Sequence, residues 1–92
     1  MKNMGYIQGE WNKKIQRILL SNQYIEPVSG HNVLSLLDQV DRELSDATKQ
    51  RICQTAYTLQ DYAHAIRIAF GKQREEGGTL DHLVNAELDL LQ

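Results

Sequence analysis

Ile52, Ala56, Leu59, Ala63, Ile66 and Phe70 recur at alternating spacings of four and three residues. A 3.5-residue period of this kind marks the seam of a helix packed lengthwise on other helices. It predicts one helix from Ser45 to about Gly71, or to Glu76 if Gly71 is tolerated inside it. Large side chains alternate with alanine along the seam, so a neighbouring backbone can come close while the larger groups fill the gap. At ~1.5 Å per residue such a helix is about 40 Å long.

Three shorter amphipathic segments surround it. Ile7, Trp11, Ile15, Ile18 and Leu19 fall on one stripe and predict a helix from near Ile7 to about Ser21, with Lys13, Lys14 and Arg17 off the stripe. Asn22 ends it, and Pro27 forces the connector Gln23–Val28 out of helix, with Tyr24, Ile25 and Val28 directed to the core. Ser29 is the predicted cap of a second helix, entered through Gly30. Its buried side carries Val33, Leu37, Val40 and Leu44 and is broadened by Leu34 and Leu36. Ser45 and Asp46 make a tight break before the long helix, because both accept from free amides at a helix start. Gly77 and Gly78 end the long helix, Thr79 caps the last one, and Leu80, Leu83, Val84, Leu88 and Leu91 form its apolar side. The expected fold is all-α: a four-helix, roughly antiparallel bundle with one long central helix over about residues 45–72, in a single domain spanning 1–92. The surplus length of the central helix predicts a homodimer in which a second copy covers what the shorter helices leave bare.

Composition agrees with a folded helical chain. Of 92 residues, 41% are hydrophobic and 24% charged, and one proline with six glycines is too few for a turn-rich all-β fold. A domain of this size has a thin stability margin, which a partner would widen. The single cysteine, Cys53, has no internal disulfide partner, and no stretch has the continuous apolar character of a signal peptide or membrane span. A cytoplasmic protein is expected, with Cys53 acting as a small hydrophobe beside the seam.

The net charge of −2 hides an asymmetry. Residues 1–20 hold Lys2, Lys13, Lys14 and Arg17 against Glu10, whereas residues 75–92 hold Glu75, Glu76, Asp81, Glu87 and Asp89 with no lysine or arginine. Either the two terminal helices lie side by side and attract, or each end steers a different partner surface.

Catalytic signatures are lacking. The chain has no Gly-rich phosphate loop, no cysteine set, no His-Glu-x-x-His and no nucleophile elbow. His31, His64 and His82 fall on three different predicted helices, so no metal site and no cofactor is expected. The pattern with the most chemical content is a second stripe opposite the seam: Tyr57, Asp61, His64 and Ile68, spaced four, three and four. It supports three readings. Asp61 can orient His64 as part of a small catalytic group, the stripe can be a further packed face, or it can be a contact surface for another protein, since tyrosine and histidine combine area with hydrogen-bonding tips.

Residues 44–58 offer a competing reading. Leu44 to Ile52 superficially has the form of the turn and second helix of a helix-turn-helix, with Thr48, Lys49 and Arg51 at the start of a recognition helix. Against it, the turn lacks its glycine, Asp38, Asp41, Glu43 and Asp46 would repel phosphate, and a sequence pI of about 5.8 gives no basic footprint. Arg67, Lys72 and Arg74 suit the C-terminal end of the long helix without a ligand. They form a larger basic surface with Lys13, Lys14 and Arg17 only if the helices bring them together. The expected function is therefore non-enzymatic: a small regulatory or inhibitor protein that binds another protein stoichiometrically, a description that fits immunity proteins, antiactivators, adaptors and phage-encoded blockers alike. The alternative is a nucleic-acid-binding regulator using residues 44–58, and the third class is a small hydrolase or metal protein using Asp61 and His64.

Overall fold

Each apolar stripe buries itself against its neighbours, and five α-helices result in the computed structural model, which describes residues 8–21 and 33–91. They are α1 (Gln8–Leu20), α2 (Val33–Glu43), α3 (Asp46–Gln54), α4 (Leu59–Glu76) and α5 (Leu80–Asp89). Every described element is helical, and none is long and apolar enough to cross a membrane. Ile7, the Pro27 connector, the Ser29 cap and His31 lie outside the described residues.

The expected long central helix is two helices. Thr55 ends α3 in an extended conformation (φ −87°, ψ 142°), and its hydroxyl donates to the Arg51 carbonyl at 2.7 Å. Thr58, also extended (φ −75°, ψ 161°), caps α4 by accepting from the Asp61 amide at 3.0 Å. A threonine side chain that hydrogen-bonds the local backbone competes with the helical ladder. Two of them three residues apart close one helix and open the next. The break turns Ala56 out of the seam to the surface and leaves Leu59 half-buried, while Ile52, Ala63, Ile66 and Phe70 stay buried. It also removes the surplus helix length from which a covering second copy was expected.

The other boundaries follow their caps. Ser45 accepts from the Thr48 amide at 3.2 Å, and Thr79 accepts from that of His82 at 3.2 Å. Gly71 is accommodated inside α4, which runs to Glu76 and ends at Gly77, whose φ of +82° favours glycine. On α2 the buried side chains include Leu36 and Val40, continued by Leu44; Leu37 is half-buried, and Leu34, expected inside, is exposed.

A single apolar cluster joins all five helices, with Trp11 and Tyr62 as its largest fully buried side chains. The indole N–H of Trp11 donates to Asp41 Oδ1 at 3.0 Å, and the buried Lys49 ammonium lies 3.2 Å from the same oxygen and 5.6 Å from the indole centroid. One carboxylate of α2 thus ties α1 to α3. α4 packs most extensively on α5, which also meets α2, whereas α1 packs on α2, α3 and α4. The basic and acidic terminal helices therefore do not lie along one another, and their opposite charges face different surroundings.

Candidate interaction surface

The stripe opposite the seam lies on the outer face of α4 and in the connector before it. His64 is exposed, and Tyr57, Asp61 and Ile68 are half-buried, so this face is neither core nor fully solvated. Tyr57 belongs to the connector, where its ring meets that of Tyr62 edge-on, with centroids 5.6 Å apart and planes at 65°. Asp61 stands in the first turn of α4, where a carboxylate suits the helix dipole. Gln60, Asp61, His64 and Arg67 line a shallow depression of about 300 Å³.

The partner of His64 is Arg67, not Asp61. A guanidinium nitrogen of Arg67 lies 2.9 Å from Nδ1 of His64. Arginine can only donate, so Nδ1 accepts and the ring proton of the neutral imidazole is on Nε2. The lone pair that an Asp61–His64 dyad would direct at a substrate is used by the neighbouring turn. Among the described residues no three His, Cys, Asp or Glu side chains are grouped to hold a metal ion. Cys53 is half-buried; burial pushes its thiol pKa up, Lys14 draws it back and Glu10 adds to the rise, leaving less of the reactive thiolate.

The side chains that a recognition helix would need at residues 44–58 are committed inside the fold. Thr48 is buried, donates to Asp81 Oδ1 at 2.5 Å and accepts from Nδ2 of the Asn85 side chain at 2.6 Å. Lys49 is held by Asp41 and Trp11, and Arg51 spans Asn85 Oδ1 at 3.0 Å and Asp89 Oδ1 at 2.7 Å. Asp81 also accepts from the Ser45 amide at 2.8 Å. Burial pushes the Asp81 pKa up, but the hydrogen bonds from Thr48 and Ser45 outweigh it and hold the carboxyl below its ordinary value. These residues form a polar seam joining the start of α3 to α5.

The two basic groups have different surroundings. Lys72 pairs with the buried Glu87 at 2.9 Å, and Arg67 turns to His64. Lys13 and Arg17 instead flank a groove of about 580 Å³ whose lining includes Leu20 of α1 and Leu59 of α4, and with Lys14 they border a smaller depression beside Cys53. Sequence reasoning missed this groove. Leu20 lies outside the apolar stripe of α1 and is 64% exposed, and the half-burial of Leu59 follows from the Thr55–Thr58 break. No protein family, curated protein or solved structure matches this chain.

Proposed function

We propose that this chain is a non-enzymatic regulatory protein that acts by binding another protein stoichiometrically through the outer face of α4, as an inhibitor, adaptor, immunity protein, antiactivator or phage-encoded blocker does. The observation that supports this reading is the half-burial of Ile68 one turn from the exposed His64, with Tyr57 half-buried in the connector before α4. Apolar area is left at the surface beside hydrogen-bonding tips, the composition that favours protein contacts. Catalysis by Asp61 and His64 is disfavoured, since Arg67 occupies Nδ1. Nucleic-acid binding through residues 44–58 is disfavoured too, since Thr48, Lys49 and Arg51 would have to leave internal partners. A lone thiol suits a reducing compartment, and the proposal places the chain in the cytoplasm.

The test is capture from the native cell with the tagged chain and with His64→Ala, Ile68→Ala combined. Tyr57 is left intact because it packs on Tyr62. The expected result is one protein recovered at near-equal molar ratio by the parent chain and lost by the double variant, with the circular dichroism of both alike. Equal recovery by both chains would contradict the proposal.

A further inference from the structure

We propose that the groove between α1 and α4 is a docking site for an acidic amphipathic helix of a partner protein. This surface is distinct from the outer face of α4, and the inference stands whether or not that face binds anything. Two adjacent depressions share Lys13 and Arg17 as a common border. The larger is bounded by Leu20, Ser21 and Leu59, and the narrower, of about 220 Å³, by Glu10, Lys14 and Cys53. From Glu10 to Ser21 the residues that line them run along α1 for about 16 Å at ~1.5 Å per residue, the length of three helical turns.

Its chemistry specifies the occupant. Leu20 is 64% exposed and stands beside the half-buried Leu59, an apolar floor that water covers poorly. Lys13 and Arg17, four residues apart on one flank of α1, are both exposed, and among the described residues neither enters an ion pair. Lys14 is oriented by the Tyr62 ring, whose centroid lies 5.0 Å from its ammonium. A helix that carries apolar residues at spacings of three and four, with Asp or Glu on both sides of that row, would meet the floor and the basic rim together. Glu10 at the narrow end gives the site a direction, because an acid of the partner opposite it would be repelled.

The occupant is a different protein, not a second copy. The acids of the chain's own acidic helix are committed: Asp81 to Ser45 and Thr48, Glu87 to Lys72, and Asp89 to Arg51. The α5 helix of a second copy could therefore meet the basic rim only by giving up those pairs.

The experiment is a titration of the isotope-labelled chain, followed by amide NMR, with a synthetic sixteen-residue peptide that carries leucines along one helical stripe and glutamates flanking it. The expected result is saturable shifts confined to the amides around Lys13, Arg17, Leu20 and Leu59. Lys13→Glu combined with Arg17→Glu should weaken binding at least ~10-fold, as should raising salt from about 0.05 to about 0.5 M. Leu20→Ser should weaken it several-fold; all three positions are exposed, so the melting temperature should stay in place. Four results would each overturn the proposal. Equal binding of a peptide with the same composition and its leucines scattered off the stripe would mean attraction by charge alone. Tighter binding of single-stranded DNA or phosphatidylserine vesicles at the same residues would make the ligand a polyanion. A two-chain mass that Leu20→Ser returns to one chain would make the occupant a second copy. Shifts at His64 and Ile68 alone, or no shifts, would leave the groove without this ligand.

Discussion

The hydroxyl of Tyr62, in the first turn of α4, donates to the carbonyl of Ile52 at 2.9 Å and also reaches that of Thr55, closing the C-terminal end of α3 from the helix that follows it. The last carbonyls of a helix have no partner within it, and burying them unpaired is costly. A fully buried phenol therefore serves as a cap, and burial, which pushes its pKa up, keeps it in the neutral donating form.

Tyr62→Phe keeps the ring and removes only the donor. It should cost about 1–3 kcal/mol, the penalty for leaving a buried carbonyl unsatisfied. The urea midpoint should fall with an unchanged slope. A midpoint equal to that of the parent chain would show that the break between α3 and α4 does not depend on this hydroxyl.

The acid limb of the stability curve should report on Asp41 and Asp81. Burial raises both pKa values, but hydrogen bonds from Trp11 and Lys49 to Asp41, and from Thr48 and Ser45 to Asp81, lower them further, so each carboxyl is held below its ordinary 3.8. A depressed folded-state pKa contributes stability that is complete above the unfolded value and is lost as pH falls through the folded one. Melting temperature should therefore drop steeply below about pH 4. Asp81→Ala should cost about 1–2 kcal/mol at neutral pH, after allowance for its partial exposure, and make that drop shallower. An unchanged acid limb in the variant would remove Asp81 from the account.

Gly71 offers an opportunity for stabilisation. It lies inside α4, and a Cβ added there meets no atom within 4 Å. Gly71→Ala should raise stability by about 0.5–1 kcal/mol by restricting the unfolded chain and favouring the helix. Thermal melts of the two chains test this, and a lower melting temperature for the variant would contradict it.

Helix identity was largely legible in the sequence because the apolar stripes and polar caps agree. Trp11, Ile15, Ile18 and Leu19 recur on one side of α1, and Ser45 and Thr79 are read as caps from residue type alone. The break at residues 55–58 was not legible in the same way. Ile52, Ala56, Leu59 and Ala63 keep helical spacing straight through it, and neither glycine nor proline marks it. The signal present was Thr55 and Thr58 followed by Asp61, a weaker cue than the periodicity that overrode it. Of the surface stripe, the spacing of Asp61, His64 and Ile68 placed them together, but not the turn of His64 toward Arg67, since His64 has candidate partners three residues away on both sides. The fates of Thr48, Lys49 and Arg51 depend on α5, more than thirty residues on, and on Asp41 and Trp11, contacts that local pattern cannot supply.

The proposal that the outer face of α4 binds another protein is tested most directly by cross-linking in the native cell. A photoreactive phenylalanine analogue placed at position 64, on the exposed part of that face, should convert the chain on irradiation into one discrete heavier species. The same analogue at exposed position 42 of α2, where Arg42 pairs with Asp38, serves as the comparison and should give no such species. Identical products from both positions, or none from position 64, would contradict the account.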